Sequence, residues 1–131
     1  MSVSSDDLLN AASSICGAAS DEAYWRGGVS RAYYAAHHQA YKFHSVLPSP
    51  GSVGNSSGRH SQLISQLKNP TIKLTHALYV ESRAIGDMLS RIEKLRVLSD
   101  YNLGGHLDCG DMQTALADTQ ELFARTRPHV P

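Results

Sequence analysis

Apolar residues recur at intervals of three and four along nearly the whole chain, and no segment alternates with a period of two. That rhythm predicts helices without strands. "SSDDLLNAASSICGAAS" starts with a cap-type Ser4 or Ser5, and its acids Asp6 and Asp7 suit a first turn. Leu8, Ala11, Ala12, Ile15 and Ala19 then follow at helical spacing, with an end expected between Gly17 and Ser20. "DEAYWRGGVSRAYYAAHHQAYKFHSV", from Asp21 to Val46, predicts a second, longer helix. Its adjacent Gly27 and Gly28 each cost about 1 kcal/mol relative to alanine, which points to a bend or a close contact with a neighbouring backbone.

"RHSQLISQLKN" predicts a short helix from Arg59, stopped by Pro70. The segment from Thr71 to Tyr101 predicts the longest helix. Leu78, Ile85, Leu89, Ile92 and Leu95 form its apolar stripe, with Met88 beside it. "DMQTALADTQELFARTR" closes the pattern, acidic at its start and basic at its end, with Pro128 behind it. Between the second and third helices, "LPSPGSVGNSSG" reads as a flexible surface loop at about 46–59, since neither flank is long enough for a core of its own. The expectation is a single domain over 1–131: all-α, an antiparallel up-and-down four-helix bundle plus one short helix.

Composition narrows the function. The chain has 131 residues, 41% of them hydrophobic, enough for one core. Twelve basic residues balance twelve acidic ones, which argues against a strongly basic, non-specific nucleic-acid binder but leaves room for a local basic site. Cys16 and Cys109 stand alone, outside any zinc-ligand spacing, and read as reduced, half-buried thiols of a cytoplasmic protein. The N-terminal segment lacks the pattern of a secretory leader, and no stretch is apolar enough to span a membrane.

The chemistry concentrates in "SRAYYAAHHQAYKFH", Ser30 to His44. At about 100° per residue, Arg31 and His38 share a face with Tyr34 and Lys42 along it. His37 falls with Tyr33, Tyr41 and His44 instead. Arginine grips a phosphate through two parallel hydrogen bonds, and histidine moves protons near neutral pH. Together they suit metal-free RNA cleavage, with Arg31 on the phosphate and His38 on the 2′-hydroxyl or the leaving oxygen. The plainer alternative is a buried Arg31 salt bridge and a core hydrogen bond from His38. A metal at His37 and His44 is disfavoured, since they lie seven apart with no carboxylate between; neither metal nor cofactor is expected. In "RVLSDYN", Arg96 and Asp100 stand four apart and can pair beside Tyr101.

These segments carry a family resemblance. "SRAYYAAHHQA" resembles the RAYYA-x-x-H-A helix of prokaryotic HEPN-domain proteins, "GRHSQLISQL" the short His-led helix after their loop, and "RVLSDYN" their R-x-x-A-D-Y segment. Order and spacing agree over about residues 5 to 125. The resemblance implies a dimeric helical bundle. In many members it also implies a metal-independent endoribonuclease built on an arginine, four to six residues, and a histidine. Arg31 fits with either His38 or His37, and the family pattern has the histidine at His38 and an aromatic at His37. Arg96 and His106 do not fit, having nine residues between them.

The resemblance further implies a nucleotidyltransferase antitoxin partner that can add AMP to a tyrosine, with Tyr34, Tyr41 and Tyr101 as the positions to inspect. Arg96 and Asp100 would orient the site, and His60 would approach it from the short helix. Two functions stay open: a dimeric RNA- or nucleotide-binding toxin that cleaves RNA, and a non-catalytic dimeric module that works through its partner.

Overall fold

A computed structural model describes residues 3–131. Met1 and Ser2, the start of the segment read above as lacking a leader, lie outside the described residues. The helices are α1 (Ser5–Ala18), α2 (Glu22–Ser45), α3 (Arg59–Lys68), α4 (Leu78–Tyr101) and α5 (Cys109–Thr126), and no strand occurs among the described residues. The caps explain several boundaries. Ser4 and Asp7 form a capping box at α1, as do Asp108 and Asp111 at α5, and the Asp21 carboxylate accepts from the Tyr24 N–H at α2. Asp7 and Asp108 in these boxes have lowered pKa values, chiefly because a backbone N–H donates to each.

The helix expected to start at Thr71 starts at Leu78 instead, so α2 and α4 are equal at 24 residues each. The His76 ring accepts from the Leu78 N–H at 3.0 Å and closes off the start that the sequence pattern extended. The α1 face is also corrected. Leu9, Ala12 and Cys16 are buried, whereas Ala11 and Ile15 are exposed. The stripe that packs lies one position beyond the one the spacing suggested.

Residue pairs across the bundle set its directions. Arg26, near the start of α2, reaches Leu98 and Ser99 at the end of α4, so these helices are antiparallel. Thr119 donates to Ala32 O and Gln39 to Thr126, so α2 and α5 run in the same direction. Arg91 and Arg125 bridge α4 to α5 in antiparallel sense, through Asp118 and Glu81. The Arg127–Asp6 pair joins the far end of α5 to the start of α1. This is an up-and-down bundle in which the two parallel diagonal helices, α2 and α5, touch.

The core runs through Val29, Ala36, Phe43, Ile85, Leu89, Ile92 and Leu122. Gly28 lies where α1 and α5 close on α2: a Cβ there would sit 2.7 Å from Met112 Sδ and 3.0 Å from Cys16 Sγ. The close contact expected at the glycine pair is therefore with side chains, and only at Gly28. Gly27 faces open space. Cys16 is buried and Cys109 half-buried, both as free thiols; burial first, then the neighbouring Cys109, raises the Cys16 pKa.

The short helix α3 rests on α4. The Ser82 hydroxyl donates to Leu67 O at 2.8 Å in a buried bond, and the bare Cα of Gly86 admits the α3 backbone at Leu67 and Lys68. The preceding loop is fastened to α3: Ser52 N donates to Asn69 O, and Ser65 Oγ donates to Ser52 O, each at 3.0 Å. Gly51 has a φ of 83°, and a Cβ there would collide with the Gln66 carbonyl, so this turn requires glycine. No described helix is long and apolar enough to cross a membrane.

Candidate functional site

Where α3 leans on α2, an open cavity of about 730 Å³ forms. Its wall from α2 holds Tyr33, Tyr34, His37, His38 and Tyr41; from α3 come Arg59 and His60. The cavity wall therefore takes Tyr34 and His38 from one face of the α2 cluster and Tyr33, His37 and Tyr41 from the other. His38 stands edge-on to Tyr34, ring centres 4.6 Å apart. The His37 ring lies between the other two imidazoles, 4.5 Å from His60 and 6.2 Å from His38.

Arg31 is exposed, lies outside the cavity wall and has no hydrogen bond or ion pair among the described residues. His38 is likewise exposed, so the core pairing weighed as the plainer alternative does not occur for either residue. The buried arginine of α2 is Arg26, 8% exposed. Its Nη1 donates to the carbonyls of Leu98, Ser99 and Asn102 at 2.8, 3.2 and 3.1 Å, its Nη2 to Gly105 O at 2.6 Å, and its Nε pairs with Glu22 at 3.2 Å. It satisfies the carbonyls left free at the end of α4. The available signal was its line with Val29, Tyr33 and Ala36, a charge at helical spacing on an apolar face.

Behind the cavity lies a second layer. Tyr33, 3% exposed, has its hydroxyl 2.7 Å from His60 Nδ1. The Arg96 guanidinium covers the Tyr33 ring at 4.9 Å and is held by Glu93 at 2.9 Å, with Asp100 further off at 3.8 Å. Tyr101, exposed at the helix end, brings its hydroxyl within 3.3 Å of Arg96 Nη1. The Arg96–Asp100 pair read from the sequence is thus present, but Glu93 is the nearer carboxylate. Asp100 also accepts from Ser30 Oγ at 3.4 Å, linking α4 to α2.

Glu93, Tyr33 and His37 were absent from the sequence-derived site. Glu93 shares a helical line with Leu89 and Arg96, and that alignment was its only signal.

The electrostatics are those of a tightly packed polar layer. Burial raises the Tyr33 pKa, and the Glu93 carboxylate beside the hydroxyl raises it further. Burial works against the Arg96 charge, but Glu93, with Tyr101 and Tyr33, more than offsets it, so the net shift is upward. His37 is pushed down to about 4, first by burial and then by the neighbouring His60 and His38. It is neutral at pH 7. His37 Nε2, Glu93 Oε2 and Arg96 Nε are buried without a hydrogen-bond partner, and all three lie in this layer. Comparisons with protein-family models, curated proteins and solved structures found no match to the chain.

Proposed function

We propose that this chain is a HEPN-type protein that binds RNA or a nucleotide in the cavity between α2 and α3, and that it cleaves RNA there without a metal. The observation that supports this most is the make-up of the wall: three tyrosines, three histidines and Arg59, with no carboxylate. Nucleobases stack on aromatic faces, arginine binds phosphate and imidazoles transfer protons. Arg31 stands seven residues before His38 on the same helix face, about 10 Å along the axis. It would hold a phosphate beyond the cavity while His38 works inside it. A cytoplasmic homodimer with a nucleotidyltransferase antitoxin accompanies this reading.

The test uses single-stranded RNA with chelator present. Wild-type protein is expected to yield 2′,3′-cyclic phosphate ends and to spare DNA. His38→Ala or Arg31→Ala is expected to abolish cleavage while helical circular dichroism stays unchanged. If concentrated wild-type protein cleaves no RNA, with or without divalent cations, the enzyme reading is wrong.

One observation favours the non-catalytic alternative. Arg96 is engaged by Glu93, Asp100, Tyr101 and the Tyr33 ring, and Arg31 stands outside the cavity. Retention of RNA without cleavage would select that reading.

A further inference from the structure

We propose that a single-stranded RNA lies along the exposed face of α2, its bases stacked on Tyr34 and Tyr41 and its backbone held by Arg31 at one end and Lys42 at the other, so that one phosphate falls at His38 between them. The proposal rests on the RNA reading of the cavity and deepens it by naming the form of the strand and the residues that set its path.

The argument begins where acid is missing. The chain is neutral as a whole, but none of its twelve acidic side chains lies between Ala23 and Val80. Six of the twelve basic ones do: Arg26, Arg31, Lys42, Arg59, Lys68 and Lys73. Arg26 is buried against the end of α4, and Lys68 stands 4.0 Å from Asp87. Arg31, Lys42 and Arg59 are exposed and have no ion pair among the described residues. The acid that reaches α2 beside them, Asp100, is taken up by Ser30 and Arg96. One side of a neutral bundle is therefore cationic, and such a side attracts a polyanion.

The same face offers surfaces for bases. Arg31, Tyr34, His38, Tyr41 and Lys42 are all exposed and lie within about 100° of arc on α2. Tyr34 is 46% exposed and Tyr41 60%, and they stand two turns apart, about 10 Å along the axis. Rings left in water in this way add little to the core, but each presents a face on which a base can stack. Tyr34 also touches His38, ring centres 4.6 Å apart, so a base stacked there sits next to the imidazole assigned to proton transfer. From Arg31 to Lys42 the helix rises about 16 Å, a span of several nucleotides. The bases of a duplex are stacked on one another and cannot reach the two tyrosines, so this face selects single strands.

Other occupants fit less well. A second copy of the chain, docked by the same face, would bring Arg31 and Lys42 against their own images, with no acid on the face to neutralise them. An acidic polypeptide would satisfy the charge and leave the tyrosine rings without flat partners.

The test separates binding from chemistry. The probe is a fluorescein-labelled, single-stranded 2′-O-methyl RNA of mixed sequence, which lacks the nucleophile and cannot be cleaved. Its affinity is read by fluorescence anisotropy over a series of salt concentrations. Tyr34→Ala and Tyr41→Ala are each expected to weaken binding on the order of tenfold. Arg31→Gln and Lys42→Gln should weaken it too, and each should lower the slope of log affinity against log salt by about 0.7. Arg91→Gln, on the α4–α5 side, should leave affinity and slope unchanged. All five positions are exposed, and circular dichroism checks that the variants keep their helices. A duplex of the same sequence should bind more weakly than the single strand.

Unchanged affinity in both tyrosine variants, or a salt slope that Lys42→Gln leaves as it was, would overturn this path, and the ribonuclease reading would survive. Duplex binding as tight as that of the single strand would overturn it as well. If poly-glutamate displaced the probe as well as unlabelled RNA at equal charge concentration, the face would belong to an acidic polypeptide and the proposal would fall. A protein that binds the probe with the expected pattern but cleaves no RNA would sink the enzyme reading and leave the path standing.

Discussion

The Tyr33 hydroxyl lies 2.7 Å from His60 Nδ1, and this bond joins the second helix to the short third one beside the cavity. The docking of α3 against α4 helps set where His60 and Arg59 project. The site therefore depends on contacts far from its own chemistry.

Gly86 is the first such contact. An added Cβ would lie 2.7 Å from Lys68 Cγ, 2.9 Å from Lys68 N and 3.1 Å from the Leu67 carbonyl carbon. The lysine stem can swing aside, but the α3 backbone cannot move without loosening the Ser82 bond to Leu67. Gly86→Ala should cost about 1–3 kcal/mol in urea unfolding and, on the proposed function, should weaken RNA binding, because α3 carries Arg59 and His60. Undiminished stability and binding would show that α3 docks more loosely than this geometry requires.

Arg26 is the second. Its guanidinium serves four carbonyls around the end of α4. Arg26→Ala leaves those groups with poor access to water and should cost about 3 kcal/mol or more. Arg26→Lys should recover only part of that, since an ammonium cannot reproduce the planar fork. Arg31→Ala, on the exposed side of the same helix, should stay within about 0.5 kcal/mol of wild type. Denaturation midpoints of the three variants decide the ranking.

These two arginines also show how far the sequence could be read. Helix identities were legible because apolar spacing and capping residues such as Ser4, Asp21 and Asp108 are local signals. So was the clustering of tyrosines and histidines in the Tyr33 to Tyr41 stretch, which lines the cavity. Arg31 was singled out by its spacing to His38, but what Arg26 does is set by the end of α4, more than seventy residues away. Of the Glu93–Tyr33–His60 layer only His60 was singled out, and the layer itself was illegible for the same reason: its members come from three helices. The α4 start was misjudged because Ile72 and Leu74 continue an apolar rhythm in residues that do not join the helix.

The glycine pair in α2 offers a test with opposite signs. Gly27 faces open space at an ordinary helical position, so Gly27→Ala should stabilise by up to about 1 kcal/mol through helix propensity. Gly28→Ala places a methyl group against Met112 and Cys16, and should destabilise by about 1–2 kcal/mol even as the flexible methionine yields. Thermal melts of the two single variants measure both. A gain at both positions would mean that α1 and α5 can retreat from α2 at little cost.

His37 should make the fold acid-sensitive. Its pKa falls from 6.5 to about 4, with burial as the first cause and the adjacent His60 and His38 next, against an opposing contribution from Glu93. Between those two values the unfolded chain holds more protons than the folded one, so stability rises with pH there. The contribution is complete above the unfolded value and is lost as pH falls toward the folded one. His37→Phe removes the titrating group, and it removes the buried, unpartnered Nε2 as well. The variant should match or exceed wild-type stability at neutral pH, by up to about 1 kcal/mol. It should also lose less stability than wild type between about pH 7 and about pH 4.5. Urea unfolding at both pH values provides the comparison, and an equal acid loss in both proteins would place the sensitivity in other groups.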